Sequence, residues 1–406
     1  MRDRLLVFCS AGLRAAAVGL TGVMLSLYLS TLQFDVAAVG LVITLGLAGC
    51  AAGTLAATLL ADRFGRRATL ITLSLLMAAA GGIWASSTSH ALIIASAFLG
   101  MINGMGRDRG AGLTVEQAIL PATTSPAQRT SIFAWYNVVV DVGHAVGSLL
   151  SSLPAFLRTN GNMTPLASYQ ATWWVYTVLC LLAALCALLL SSQIEQKTAQ
   201  NPPPLSPESK QIIRRFAALS GMDSFGGGFL TTALVSYWFF RRFGVDESLL
   251  GPLFFVVRLL NGVSHLAAAR IAKRIGLVKT MVFTHLPSSL LLMTVPFAPN
   301  LTIAITLFLI RESLVEMDVP TRQSYIMAVV KEEERVRAAG ISNLARGVAW
   351  AVAPVIGGIL MRHALLSTPF LIGSGLKVVY DLLLYRAFRG ITPPEEIKKV
   401  PNTKAG

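Results

Sequence analysis

Charged and titratable residues recur inside apolar stretches of this chain, and they are the residues able to do chemistry. Arg14 lies about nine residues into the first apolar run, and Asp223 about as deep in the seventh. The fourth run carries Arg107-Asp108-Arg109 and Glu116; the eighth carries Arg258; the tenth carries Arg311-Glu312, Glu316, Asp318 and Arg322; and the eleventh carries Arg346. An ionised group in hydrocarbon costs several kcal/mol unless it is paired or wet, so each marks a functional position by default. Two kinds of chemistry follow. Guanidinium forks match carboxylate and phosphate, which points to an anionic or zwitterionic solute. A desolvated carboxylate titrates nearer neutrality, so Asp108, Glu116, Asp223, Glu312 and Glu316 are candidate proton carriers. One sequence does not rank them.

Spacing adds detail. Arg14 and Asp223 hold equivalent places in the first and seventh runs, and the expectation is that they approach each other in one state of the molecule. On a helix Arg107 and Arg109 stand about 200° apart, so one faces a solute path and the other a carboxylate. Glu312 and Glu316 share a face, as do Asp318 and Arg322, the latter a structural pair. Pro320, between them, bends the helix or exposes carbonyls. Arg258 and Arg346 have no evident local partner. His144, His265 and His285 sit on separate runs without ligand spacing and read as hydrogen-bonded core residues. Cys9, Cys50, Cys180 and Cys186 lie in apolar runs and read as small buried hydrophobes. No metal site and no cofactor is expected.

The elements that hold these residues are membrane helices. Of 406 residues, 54% are hydrophobic and 13% charged, about half the charged fraction of a soluble domain. Runs of about 20 apolar residues recur, which identifies an integral membrane protein. Twelve helices are expected, at roughly 5–30, 36–60, 68–86, 91–121, 130–153, 172–191, 214–240, 247–271, 279–298, 301–328, 337–361 and 367–388. The first run is too long for a signal peptide and reads as a retained span. The net charge of +14 does not indicate nucleic acid. Most of the excess Lys and Arg falls in short loops on one side, the cytoplasmic one, where both termini are then placed. Arg158, Arg241, Arg242 and Arg362 are the outer exceptions, Arg241 and Arg242 standing next to Asp246 and Glu247. The Pro-rich stretch around Asn201-Pro202-Pro203-Pro204 separates residues 1–192 from 214–390 as two six-helix bundles, with a linker at 193–213 and a tail at 391–406.

The halves look duplicated. The turn Asp62-Arg63-Phe64-Gly65-Arg66-Arg67 returns as Ala272-Lys273-Arg274-Ile275-Gly276, and Gly65 matches Gly276 at an offset of 211. Gln117, Arg129 and Asn137 match Gln323, Arg335 and Asn343 at an offset of 206. Two such halves around a midplane site are a common transporter plan.

Twelve spans as six plus six, a central cytoplasmic loop and the Asp62–Arg67 turn together resemble the major facilitator superfamily along essentially the whole chain. One departure is Thr58, where the family turn opens with glycine. The resemblance implies an all-α fold in which spans one, four, seven and ten line a central cavity. It gives Asp62, with Gly65, Arg66 and Arg67, the gating role of holding one access state. Gly143-x-x-x-Gly147 in span five and Ala349-x-x-x-Ala353-Pro354-x-x-Gly357-Gly358 in span eleven permit close helix approach and resemble the small-residue hinge of exporters.

No acyltransferase, zinc-helix or phosphate-cradling pattern is present, and Gly226-Gly227-Gly228 reads as a packing or bending element, so an enzyme is not expected. The expected function is secondary transport of a small solute, with the proton as the default coupling ion, in a monomer of the cell (inner) membrane, and with export favoured. A solute sensor or a lipid scramblase of the same fold is the alternative.

Overall fold

Short caps and glycine turns define where the helices begin and end. In the computed structural model, residues 2–107, 110–123, 129–195, 206–331, 334–363 and 365–390 are described. Asp108 and Arg109 and the side chains of Asp62 and Arg129 lie outside them. The first half contains α1 (Arg2–Thr31), α2 (Val36–Phe64), α3 (Arg66–Ser86), α4 (His90–Leu99), α5 (Ala111–Ile119), α6 (Arg129–Leu150), α7 (Leu153–Gly161) and α8 (Pro165–Leu188). The second contains α9 (Pro207–Gly228), α10 (Thr232–Phe243), α11 (Glu247–Ile275), α12 (Leu277–Thr294), α13 (Leu301–Val315), α14 (Asp318–Val329), α15 (Arg335–His363) and α16 (Thr368–Phe388).

Among the described residues, eight helical stretches are long and apolar enough to cross a membrane. They match the expected spans one, two, three, five, six, eight, nine and eleven, and α16 covers the twelfth. Spans four, seven and ten, each expected as one helix, are divided instead into α4/α5, α9/α10 and α13/α14. The sequence explains each break. Between α4 and α5 lie Gly100, Gly104, Gly106 and Gly110, with Gly104 and Gly106 at φ +64° and +65°; a left-handed backbone cannot continue a right-handed helix. α9 ends in Gly226-Gly227-Gly228, and Thr231 restarts the chain by accepting a hydrogen bond from the Leu234 N–H as the cap of α10. In span ten the break falls at Glu316-Met317, just before Pro320, whose missing N–H removes the bond that would have bridged it.

The duplicated turns have the same backbone. Gly65 joins α2 to α3 at φ +95°, and Gly276 joins α11 to α12 at φ +89°. Neither glycine supplies a side chain to cap the helix it starts. At the first turn a carboxylate from elsewhere does so: Glu195 accepts from the Arg66 N–H at 2.7 Å and the Arg67 N–H at 3.0 Å. Negative charge at a helix N-terminus is favoured by the dipole and satisfies two orphan donors.

Small residues set the helix contacts. A Cβ on Gly147 of α6 would fall 2.0 Å from the Ala16 carbonyl oxygen, and one on Gly143 would fall 2.6 Å from that of Gly12. The small-residue stripe of span five therefore packs against α1. The one in span eleven packs on α2, where a Cβ on Gly40 would meet the Pro354 oxygen at 2.4 Å. Beside it, the Val355 N–H donates to Thr44 Oγ1 at 3.0 Å. Tyr28, Trp84 and Trp173 fill the packing of α1, α3 and α8, with Trp84 and Trp173 ring centroids 4.5 Å apart. Leu55, Leu59, Val263 and Leu266 are among many large apolar residues left exposed, as a lipid-facing surface requires.

The chain forms two compact units: Met1–Ala199 with Gly228–Leu259 and Ala351–Pro369, and Gln200–Gly227 with Leu260–Trp350 and Phe370–Gly406. The first unit thus joins the first six expected spans to one end of spans seven, eight and eleven. Within the second, Ser206, preceding α9, donates its N–H at 2.6 Å and its hydroxyl at 3.3 Å to Glu334, preceding α15. Hydrogen bonds from Ser209 and Ser206 hold the Glu334 carboxyl below its ordinary value. A carboxylate with a lowered folded pKa stabilises above its ordinary value and loses that stabilisation as pH falls through the lowered one. Glu334→Gln is therefore expected to lower the thermal midpoint at pH 7, with the gap from the parent protein closing below about pH 4; melting curves at both pH values check this.

Candidate functional site

In the first unit, Arg14 of α1 meets Glu116 of α5. The guanidinium donates two parallel bonds of 2.7 Å to the two carboxylate oxygens, the bidentate geometry that favours this pair. Tyr136 of α6 donates a third bond to Glu116 at 2.7 Å. Arg14 is 3% exposed and Glu116 fully buried. Gly112 makes room for the fork, since a Cβ there would lie 2.7 Å from Arg14 Cζ. A small cavity beside Arg14 is lined by Cys50, Ser74, Asn103 and the start of α5 at Gly110 and Ala111.

The interrupted segments of spans four and seven meet in this unit. The Ala233 N–H donates to the Gly104 carbonyl at 3.0 Å, and the Thr232 hydroxyl donates to the Met105 carbonyl at 2.9 Å. Each break thus supplies partners for the other's loose backbone groups, the condition for non-helical backbone at membrane depth. Arg258 of α11 reaches the same place, donating to Thr232 Oγ1 at 3.2 Å and lying against Gly106, where a Cβ would be 2.8 Å from its Nη2. Arg107 is half-buried in the irregular segment. Arg109 lies outside the described residues, so the expected angle between residues 107 and 109 is not tested.

At the Asp35 end of the same unit, the two halves of the sequence are held together. Arg158 of α7 reaches Glu247 at 2.5 Å and Asp246 at 3.2 Å. Tyr169 donates to the fully buried Glu247 at 2.8 Å. Asp35 and Arg362, both half exposed, pair at 2.7 Å. Sequence proximity set Arg241 and Arg242 beside Asp246 and Glu247, but the partner of those acids is Arg158, which comes from far away in sequence.

The second unit holds a larger cluster. Asp223 of α9 accepts from Lys377 of α16 at 2.7 Å and from Arg322 of α14 at 3.1 Å. Arg322 also binds Asp318 one turn away at 2.9 Å, the structural pair expected from sequence. His285 of α12 sets Nδ1 2.9 and 3.0 Å from the two oxygens of Asp381. Its Nε2 stands 3.6 Å from Asp223 Oδ1. Arg346 donates to Ser224 at 3.0 Å and stacks over Trp350. Arg311 pairs with its neighbour Glu312, and Glu316, at the break of span ten, lies 3.7 Å from His265. Glu312 and Glu316 thus have separate partners, although they sit one turn apart.

Arg14 and Asp223, expected to approach each other, have carboxylate and cation partners inside their own units here. Lys377, Asp381 and Tyr136 were not among the sequence candidates. The first two stand one turn apart in an apolar helix, and the rule that singled out Arg14 applies to them equally. Among the described residues no group of side chains could hold a metal ion.

A model of the Major Facilitator Superfamily matches residues 7–311 and 216–406 of this sequence. The chain belongs to that superfamily. It is 26% identical over 435 residues to the uncharacterized membrane protein YJR124C of Saccharomyces cerevisiae, across 99% of this chain and 97% of that one. Its fold is similar to that of the nucleoside transporter NupG (TM-score 0.74, 15% identity, 96% of this chain and 100% of the other). It is also similar to a D-xylose–proton symporter (TM-score 0.75, 14% identity, 94% and 96%). The human organic anion transporter MFSD10 aligns with TM-score 0.64 at 18% identity over 94% and 99%. Membership gives the general class, a membrane protein of a transporter superfamily.

Removing Arg14 leaves Glu116 as an uncompensated buried charge. Arg14→Met is expected to destabilise the protein by about 3–5 kcal/mol, and adding Glu116→Gln to recover most of that loss. Unfolding of the single and double variants in lipid nanodiscs measures both.

Proposed function

We propose that the chain is a secondary active transporter of a small anionic solute, working by alternating access and coupled to protons. The supporting observation is the meeting of the interrupted spans four and seven. Broken helices that bring non-helical backbone to membrane depth are how many transporters build a solute site, and α10 begins at this junction. Arg258 and Arg107 add positive charge at the same junction. Asp108, Arg109, Glu116, Glu312 and Glu316 remain candidates for coupling or solute contact, and Asp62 with Gly65, Arg66 and Arg67 for gating, as the resemblance implied. Both termini are placed on the cytoplasmic side of a cell membrane, by the distribution of Lys and Arg. The seam of Arg158 with Glu247 and of Asp35 with Arg362 then belongs to the outer face, and it must part for solute to pass that way. The small-residue packing of spans five and eleven favours export, and a monomer suffices for this mechanism.

Purified protein in sealed proteoliposomes, given an imposed pH gradient and a panel of radiolabelled organic anions, nucleosides and pentoses, tests the reading. Gradient-dependent flux of at least one anion is expected, collapsing with a protonophore. No flux of any member, with lipid scrambling or none, would sink it. In a background without the four native cysteines, Asp35→Cys with Arg362→Cys is expected to stop that flux on oxidation and restore it on reduction. Unchanged flux in a fully cross-linked sample would rule out parting of this seam.

A further inference from the structure

Two groups compete for one atom in the second unit. Asp223 Oδ1 lies 2.7 Å from Lys377 Nζ and 3.6 Å from His285 Nε2. The other imidazole nitrogen faces both oxygens of Asp381, so Nδ1 carries a proton and donates it. In a neutral ring Nε2 then presents a lone pair to the Asp223 carboxylate, which is repulsive at that range. A proton on Nε2 turns the same contact into a charge-assisted hydrogen bond after an approach of less than 1 Å. All four side chains are buried, His285 at 1% and Asp381 at 0% exposure.

We propose that His285 is a proton-binding site of the second unit, held by Asp381 and read out by Asp223. One proton passes from hydronium to Nε2: an O–H bond of the hydronium breaks, an N–H bond forms, and a water molecule is left. Asp223 Oδ1 then turns from Lys377 towards the imidazolium. The groups around the ring come from every helix packed on it. Asp223 belongs to α9, Arg322 and Asp318 to α14, and Lys377, Tyr380 and Asp381 to α16. Tyr380 sets its ring edge-on to His285, 5.8 Å between centroids. Arg346 of α15 approaches through Ser224, and Arg311 with Glu312 of α13 pair with each other. With His285 neutral, the carboxylates of Asp223, Asp318 and Asp381 are matched by Arg322, Arg346 and Lys377. Binding a proton leaves one positive charge in excess, so the protonated state is favoured when an anion enters.

Asp223 is five residues before Gly228, where the chain passes from the second unit to the first. A change in what grips Asp223 is therefore a change in what grips the half of span seven on the near side of that joint. The role in coupling rests on the transport reading; the proton site itself does not.

The protein labelled with ¹⁵N-histidine, in lipid nanodiscs without any solute, provides the test by NMR between pH 4 and 9. His285→Asn, which keeps a donor towards Asp381, assigns the His285 resonances. If that variant does not fold, stepwise replacement of His90, His144, His265 and His363 assigns them by elimination. The His285 Nε2 resonance is expected to move through a single midpoint. Asp223→Asn and Asp381→Asn are each expected to shift that midpoint by about one pH unit. A resonance that stays fixed across the range overturns the proposal, as does a midpoint insensitive to both substitutions. Proton-coupled flux with a fixed His285 resonance would leave transport standing and remove this site. A titrating His285 without flux of any solute would do the reverse.

Discussion

Inside a bilayer no charge and no backbone polar group can be left to water, and this constraint organises the molecule. The described charges at membrane depth answer it locally, mostly within a few ångströms. Arg14 has a forked carboxylate and Glu116 a phenol besides. Asp223 has two cations, and His285 has Asp381. The backbone obeys the same rule. Where α4 gives way to α5, and α9 to α10, the exposed carbonyls of one break are taken up by donors from the other. Breaks in spans are therefore not isolated defects; two of them are conjugate.

Much of this was readable from residue types alone. Hydropathy placed the helices, and Gly65 and Gly276, matched by offset, share one backbone conformation. The charged positions in spans four, seven and ten fall in the three elements that are divided, while span one, which carries Arg14, is one continuous helix. What sequence could not supply was partnership across distance. Arg14 and Glu116 are separated by 102 residues, and Arg158 and Asp246 by 88. Nothing local announces either pair, and proximity along the chain suggested Arg241 and Arg242 for the acids that Arg158 holds. The breaks were half legible: a glycine triplet and a proline gave the places, but the expected helix does not run through residues 100–107.

The two groups of charges differ in character. The Arg14–Glu116–Tyr136 set is closed: a bidentate pair with a hydroxyl leaves little freedom, and its geometry resembles a fastening. The set around Asp223 is open, with more claimants than the carboxylate has oxygens, and one nitrogen set just beyond bonding range. Fixed pairs suit the interior of a body that moves as a whole. Competing pairs suit a place where partners exchange. The same contrast appears at the Asp35 end, where buried Glu247 is held from three sides while the Asp35–Arg362 pair stands half in solvent.

The fork on Arg14 has a consequence for how the protein is made. Ribosomes deliver α1 to the membrane before α5, and its carboxylate partner emerges 102 residues afterwards. At about 5–20 residues per second, the guanidinium waits roughly 5–20 s for Glu116. A lone arginine mid-helix carries an insertion penalty of about 2.5–3.5 kcal/mol. α1 is thus a poor solo entrant, and it must linger beside the insertion machinery until α5 arrives to neutralise it.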